Sequence, residues 1–257
     1  MYLRAVHAVE DLLTLRAFIR ANPLGIITTA IESQKYPFLQ SSHIPFFLDI
    51  KDESSPTEFG ILRGHMARAN PQSKALIDHF TSGSSPSPAT LSQDVLILFN
   101  SPNHHYVPPA FYRETKPTTG KVVPTWNYAA AQVYGKLKVY YDSKAASTDD
   151  FLTSHTAELT RFSERELMGH GTERSEMREW EVDDSPRPYV EQLKKAIIGI
   201  EIEITSLGGK WKMSQEMSKG DRQGVIDGFR GLDTPVGKEV AAMVEERSAK
   251  KEAVEAK

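Results

Sequence analysis

Apolar residues recur along the chain in two patterns, one typical of helices and one typical of strands. Residues 9–20 carry Leu12, Leu15 and Ile19 at helical spacing, which predicts a first helix that ends before Pro23. Short polar connections separate three β-branched and apolar segments, at residues 25–31, 36–48 and 59–66. Such segments predict an antiparallel meander of three strands.

The remaining strand-like segments complete a small sheet. Residues 94–99 are almost wholly apolar, which predicts a central strand covered on both faces. Further strands are predicted at 132–141 and 197–204, with Gly208-Gly209 as a turn into a last strand at 210–214. Helical patterns occupy residues 71–80, 147–167, 221–232 and 235–247, and polar loops are predicted at 81–92 and 169–188.

These elements predict a mainly β fold with α decorations, of the barrel class. No linker divides residues 1–247, so we expect a single domain there, followed by a charged and flexible tail at 248–257.

Composition and charge narrow the class of protein. The chain has 257 residues and a formal net charge of −3, and it lacks cysteine, which excludes disulfides, Fe–S clusters and thiolate zinc sites. No apolar stretch approaches the roughly 18 to 20 residues of a membrane span. We therefore expect no membrane partner, a cytoplasmic location with a nuclear one as the alternative, and no direct contact with DNA.

Signatures of common enzymes are missing from the sequence. It contains no phosphate-binding Gly-x-x-x-x-Gly-Lys loop, no Gly-x-Gly-x-x-Gly, no His-Glu-x-x-His and no Gly-x-Ser-x-Gly. The sequence therefore contains none of the motifs that usually indicate ATP hydrolysis, Rossmann-type NAD chemistry, zinc proteolysis or serine hydrolysis.

Residues 64–74 predict an anion site at the start of a helix. Asn70 is a preferred N-cap residue and Pro71 suits the first helical position. The first-turn N–H groups and the helix dipole would favour a phosphate there. Arg68 and Lys74 lie close enough in sequence to add charge-assisted hydrogen bonds. An ordinary capped helix with two solvated cations is the alternative.

Two other clusters carry polar groups beside aromatic rings or hydroxyls. Aromatic residues crowd 103–128, including His104, His105 and Trp126, and this density is typical of a pocket wall, a subunit contact or ordinary loop packing. We predict no metal site there, because adjacent strand residues face opposite sides and no carboxylate has ligand spacing. The Ser42-His43 pair lacks the placed acid that a hydrolase needs.

Six blocks of residues along the chain form a recognisable set. They are Asn22-Pro23-Leu24-Gly25, Ser42-His43-Ile44-Pro45, Gly64-His65-Met66-Ala67-Arg68-Ala69-Asn70-Pro71, Val123-Pro124-Thr125-Trp126-Asn127-Tyr128, Val133-Tyr134-Gly135 and Lys212-Met213-Ser214-Gln215. In these blocks the chain resembles the PaiB family of FMN-binding split-barrel proteins, often labelled negative transcriptional regulators. The resemblance implies a six-stranded antiparallel Greek-key split barrel, usually a homodimer with FMN between the subunits.

The same resemblance implies roles for individual residues. By analogy, Arg68, Asn70 and Lys74 lie at the FMN phosphate. The residues implied at the flavin ring or ribityl chain are Thr28, Ser42, His43 and His65. Further implied contributors are Trp126, Asn127, Lys212 and Gln215, the last two from a partner subunit. Segments 81–92 and 169–184 depart from the family pattern.

The function implied is that of a flavin-dependent oxidoreductase, or of a flavin-linked regulator, acting on an unknown small molecule. The flavin would supply any redox chemistry, and no residue is assigned as catalytic. One alternative is a transcriptional regulator that acts indirectly. Another is a haem-binding or haem-degrading protein of the same fold, with axial ligands among His43, His65, His104 and His105.

Overall fold

A computed structural model describes residues 1–83 and 85–255. The chain divides into two compact units. The first comprises Met1–Glu10, Asn100–Ala131 and Gly208–Lys257, and the second comprises Asp11–Phe99 and Gln132–Leu207. The prediction of one domain over 1–247 stays a prediction.

Strands and helices alternate through most of the described chain. The strands are β1 (Ala8–Val9), β2 (Leu24–Ala30), β3 (Leu39–Pro45), β4 (Phe47–Asp49), β5 (Ile61–Ala67), β6 (Ala89–Asn100), β7 (His105–Val107), β8 (Thr125–Tyr140) and β9 (Ile197–Lys212). The helices are α1 (Leu12–Ala21), α2 (Pro71–Ser82), α3 (Thr115–Thr119), α4 (Ala146–Phe162), α5 (Arg187–Lys195), α6 (Lys219–Arg230) and α7 (Pro235–Glu255).

The prediction of a mainly antiparallel β fold with helices is confirmed, but the strand count is wrong. The sheet has nine strands rather than six, with the path β3-β2-β6-β8-β9-β5-β4 and with β1 and β7 paired to β9 and β8. Among the described residues this path ends at β3 and β4 without closing. Three very short strands, β1, β4 and β7, account for the surplus. The two or three residues of β1 and β7 leave no clear alternation in a sequence, whereas β4 is the separated end of the predicted segment 36–48.

Two predicted strands have different boundaries for local reasons. The segment 36–48 divides at Phe46, whose N–H donates to the Pro23 carbonyl instead of to a neighbouring strand. The predicted turn at Gly208-Gly209 is wrong, since β9 continues to Lys212. Gly209 and Lys210 there pair with Val9 and Ala8 of β1, and this pairing keeps them extended.

Alternation along the strands of the second unit separates a buried face from a more accessible one. Ile27 and Thr29 of β2 and Ile97 of β6 are buried, whereas the residues between them are only half-buried. The predicted central place of β6, between β2 and β8, is confirmed, but only one of its faces is fully covered. Helix α4 ends in a π-helical turn at Ser163–Leu167, and the predicted helix at 147–167 is confirmed.

The first unit contains the helices that follow β9. Asp221 in α6 is fully buried, and its carboxylate accepts hydrogen bonds from the backbone N–H groups of Glu114 and Thr115. Helix α7 continues through residue 255, so the segment predicted as a flexible tail is helical over 248–255, and residues 256–257 lie outside the described part. Within the described residues, no helix combines the length and apolar character needed to cross a membrane.

Candidate functional site

The start of α2 is organised by Asn70. Its Oδ1 accepts a hydrogen bond from the Gln72 N–H at 2.9 Å, and Pro71 occupies the first helical position. The predicted N-cap is therefore present. The Asn70 Nδ2 donates to the Ser42 hydroxyl at 2.9 Å, which ties this cap to β3. Because the first turn of a helix leaves N–H groups without helical partners, a negatively charged group is favoured at this end.

Arg68, two residues before the cap, is held by backbone carbonyls. Its Nη2 donates to the carbonyl oxygens of Tyr141 at 2.8 Å and Ile197 at 3.3 Å, and its Nε donates to that of Lys195 at 3.2 Å. Burial lowers the pKa of Arg68, while the Asp142 carboxylate acts in the opposite direction. The side chain therefore keeps a half-buried positive charge whose hydrogen bonds among the described residues go to neutral carbonyl acceptors.

Residues of the first turn of α2 leave polar atoms unsatisfied. The Ser73 hydroxyl and the Gln72 Oε1 are buried and have no hydrogen-bond partner among the described residues. The Gln72 Nε2 in contrast donates to Thr29 Oγ1 at 2.9 Å and to the Gln40 carbonyl at 3.1 Å. Buried polar atoms without a partner are costly, so a bound polar group at this end would stabilise them.

Sequence reasoning missed Ser73, although a signal was present. Ser73 shares the face of Leu76 and Phe80 at helical spacing, and all three are buried. A serine on an otherwise apolar helix face, one turn inside a cap, is therefore a position to notice. Lys74, the predicted cation of this turn, is exposed and has no ion pair among the described residues.

The three predicted residues on β2 and β3 divide between the two faces of the sheet. Ser42 faces the Asn70 side, whereas Thr28 and His43 belong to the opposite and more accessible face. The register fixes this division, since Thr28 lies opposite Ser41, and His43 lies opposite Ile26. The Thr28 hydroxyl is hydrogen-bonded to that of Ser41 at 2.8 Å. Ser42 and Asn70 are in contact, and Thr28 and His43 share a second surface.

His65 faces α4. Its Nδ1 lies 3.1 Å from His155 Nε2 in a hydrogen-bonded pair, and His155 is fully buried and stacked on Phe151. Burial lowers the pKa of His65, and burial together with His65 and Arg63 lowers that of His155 to about 3. Gly199 lies opposite His65 on β9, and a Cβ there would come within 2.4 Å of the Phe151 ring.

Trp126, in the first unit, is exposed over 47% of its surface. Its indole N–H donates to His104 Nδ1 at 3.2 Å. The ring centroid of Tyr106 lies 6.3 Å away in an edge-on arrangement. An aromatic row that remains this accessible is typical of surfaces that receive a flat ligand or another subunit.

The block at the end of β9 contacts the same aromatic segment. The Lys212 ammonium donates to the Thr125 hydroxyl and, at 3.1 Å, to the Trp126 carbonyl. Burial lowers the pKa of Lys212, and the Glu216 carboxylate opposes this shift. The structure thus places the Lys212 ammonium in contact with the backbone of Trp126. The sequence related these two residues only through the family resemblance.

Two further predicted residues of the first unit lie in its interior. Asn127 is fully buried, and its Nδ2 has no partner among the described residues. Its Oδ1 accepts from the hydroxyl of Ser214, a residue with φ of +59°. A left-handed serine is uncommon and marks local strain. The Gln215 side chain forms hydrogen bonds within its own segment. It accepts from the Met213 N–H at 2.6 Å and donates to the Trp211 carbonyl at 2.5 Å.

Comparison with known proteins identifies the family. A family model described as "Putative FMN-binding domain" matches residues 1–206, and the chain belongs to this family. Family membership supports FMN as its main cofactor. The match ends before Lys212, so the last block of the resemblance lies outside it.

Individual relatives extend the match to nearly the whole chain. An uncharacterized protein of Emericella nidulans is 54% identical over 255 residues, covering 98% of this chain and 99% of the relative. The protease synthase and sporulation protein PAI 2 of Bacillus subtilis is 24% identical over 250 residues, covering 97% and 99%. The flavocytochrome Anf3 of Azotobacter vinelandii has a TM-score of 0.43 at 14% identity, covering 82% of this chain and 72% of that one.

Proposed function

We propose that the phosphate of FMN binds at the start of α2, with Arg68, Asn70 and Lys74 as its main contacts. The observation that carries this proposal is the capped first turn together with the unpaired hydroxyl of Ser73. A dianionic phosphate is stabilised by first-turn N–H groups and by charge-assisted hydrogen bonds. Arg68 donates its hydrogen bonds to backbone carbonyls and makes no ion pair among the described residues, although the Asp142 carboxylate acts on its charge. An added anion would supply the missing ion pair.

The remaining predicted FMN contacts are assigned according to the surface on which each residue lies. Thr28 and His43 share the accessible face of β2 and β3, and we assign them to the ribityl chain or the flavin ring. Within the first unit, Trp126 and Lys212 form a surface of their own, with an exposed aromatic ring and a partly buried ammonium. Flavin supplies hydride and electron transfer when it is bound. Protein groups position and polarise it, and the function is that of a flavin-dependent oxidoreductase acting on a small molecule.

His65 is assigned a supporting role in this proposal. Because its Nδ1 is paired with His155, only the other ring nitrogen remains for a ligand. Asn127 and Gln215 are buried and bonded within their own unit. We infer that these three residues hold the segments that carry the contacts.

We further propose that the protein is a homodimer with FMN between the subunits. The accessible face of β2 and β6 carries Ile26, Leu96 and Leu98 half-buried, and Leu24 and Leu39 are more than half exposed. Apolar groups on a sheet face are typical of subunit contacts. From the net charge of −3 we also propose that the protein makes no direct contact with DNA, and that its location is cytoplasmic, with a nuclear one as the alternative.

Titration with FMN and with riboflavin tests the phosphate site. The two ligands share the flavin ring and differ only by the phosphate, so their affinity ratio isolates the contribution of the start of α2. We expect FMN to bind at least about tenfold more tightly, a difference of about 1.4 kcal/mol. Equal affinities would contradict the assignment. Sedimentation of the same samples gives the mass of a dimer if the second proposal holds.

A further inference from the structure

The segment before β6 contains two consecutive Ser-Pro dipeptides, Ser85-Pro86 and Ser87-Pro88. Both lie in the second unit, in the region that departs from the family pattern. Protein kinases of the proline-directed class require a proline directly after the acceptor serine or threonine. Six such dipeptides occur in this chain, and the structure distinguishes among their hydroxyl groups.

Four of the six hydroxyls accept hydrogen bonds from nearby backbone N–H groups. The Ser87 Oγ accepts from the N–H groups of Tyr141 and Asp142, each at 3.1 Å. Ser101 and Thr234 accept from Asn103 and Gly237 in the same way. Ser55 accepts from the N–H groups of Thr57 and Glu58. Phosphorylating any of these would first require breaking a local turn or cap.

The Ser85 hydroxyl is different. It has no hydrogen-bond partner among the described residues and is not fully buried, and Pro86 after it is exposed. The Ser85 carbonyl accepts from the Tyr141 hydroxyl, and its N–H donates to the Phe80 carbonyl at 3.0 Å. The backbone is thus fixed while the hydroxyl is free. Ser185 also has a free hydroxyl, but Asp183 and Asp184 precede it and would repel a phosphate.

A basic group lies beside Ser85. Ser85 and Arg68 line one cavity of about 410 Å³, together with Thr81, Ser87, Tyr141, Asp142 and Ser143 among others. No hydrogen bond uses the Nη1 of Arg68 among the described residues, because its bonds to carbonyls involve Nε and Nη2. An arginine with an unoccupied Nη1 can donate charge-assisted hydrogen bonds to a phosphoserine.

We propose that Ser85 is a phosphorylation site for a proline-directed serine/threonine kinase and that Arg68 binds the resulting phosphate. Because Arg68 is also a proposed contact of the FMN phosphate, the two phosphates would compete for its side chain. In the transfer, a bond forms between Ser85 Oγ and the γ-phosphorus of ATP, and the bond from that phosphorus to the β,γ-bridging oxygen breaks. ADP leaves, and the hydroxyl proton passes to the catalytic base of the kinase. Asp142 opposes the bound phosphate by charge, and Arg68 outweighs it by direct hydrogen bonds.

The first test is phosphorylation of the full chain by a proline-directed kinase with Mg²⁺ and ATP, read by mass spectrometry. We expect one phosphate on Ser85, and at least about a tenfold lower initial rate for Ser85→Ala. Ser185→Ala is the matched control, because it removes the other free hydroxyl, and it should keep the wild-type rate. Absence of phosphate, or a wild-type rate for Ser85→Ala, would overturn the proposal.

The second test measures the pairing with Arg68 and needs no flavin. The second pKa of a free phosphoserine lies near about 6, and a bound arginine lowers it. A ³¹P titration of the phosphorylated chain should therefore have a lower midpoint than the same titration of Arg68→Gln. Identical midpoints would contradict the pairing. Since neither test involves FMN, failure here is distinguishable from failure of the proposed cofactor site.

Discussion

The Asn70 amide joins α2 to β3, accepting from the Gln72 N–H and donating to the Ser42 hydroxyl, each at 2.9 Å. One side chain therefore caps the beginning of the helix and fixes the helix on the sheet. Stability and the proposed phosphate site both depend on it, and substitution can separate the two roles.

Asn70→Asp keeps the N-cap hydrogen bond and adds a negative charge at the start of α2. A carboxylate still accepts from the Gln72 N–H and can accept from the Ser42 hydroxyl, so the free energy of unfolding should change little. FMN affinity should fall at least about tenfold, because the new charge repels the phosphate. Asn70→Ala should instead lower the free energy of unfolding by about 1 kcal/mol. Urea denaturation and FMN titration measure both, and unchanged FMN affinity in Asn70→Asp would contradict the site.

Lys74 should matter for the phosphate and not for the fold. It is exposed and has no ion pair among the described residues, so Lys74→Gln should leave the urea midpoint unchanged. Loss of one exposed charge contact should weaken FMN binding about three- to fivefold, or about 0.6 to 1 kcal/mol, with riboflavin affinity unchanged. Lys116→Gln, at another exposed lysine, is the control. Equal losses of affinity for FMN and for riboflavin would show that Lys74 does not contact the phosphate.

The buried pair of His65 and His155 predicts a stability that falls in acid. The pKa of His155 is lowered from 6.5 to about 3 in the folded protein, so the unfolded chain binds more protons between these values. Its contribution is complete above pH 6.5 and is lost as the pH falls toward 3, with a slope of at most about 1.4 kcal/mol per pH unit. His155→Phe removes this titration and should flatten the profile of unfolding free energy against pH. A slope equal to that of the wild type would refute the assignment.

Tryptophan fluorescence separates the proposed flavin contact from a matched surface residue. Trp126 and Trp180 are exposed to almost the same extent, 47% and 44%, whereas Trp211 is buried. If Trp126 contacts the flavin, FMN should quench the wild type and Trp180→Phe alike, and should quench Trp126→Phe much less. Equal quenching of Trp126→Phe and Trp180→Phe by FMN would show that Trp126 does not contact the flavin.

Local features of the fold were predictable from the sequence, and long-range ones were not. The cap at Asn70 follows from neighbouring residues, since N-cap preference and proline geometry act within one turn. The pairing of His65 with His155 joins residues ninety positions apart, and only the packed structure brings them together. Helix α5 was missed because Arg187–Lys195 is only nine residues long and begins within the polar segment 169–188, so few positions carry its apolar pattern.

The strand errors have a similar cause. Gly208-Gly209 is typical of a turn when only its neighbours are considered. In the fold, pairing of Gly209 with Val9 near the beginning of the chain keeps β9 extended. Tertiary hydrogen bonds here override a local preference, as they do at Phe46, where the predicted single strand divides.

The amount of FMN bound by the purified chain tests the proposed FMN site most directly. After equilibration with FMN and removal of the excess, the protein should be yellow, and denaturation should release one FMN per chain, measured by absorbance and chromatography. The same treatment of Asn70→Asp should release much less, at equal folded content by circular dichroism. A colourless wild-type protein that retains no FMN would contradict the account.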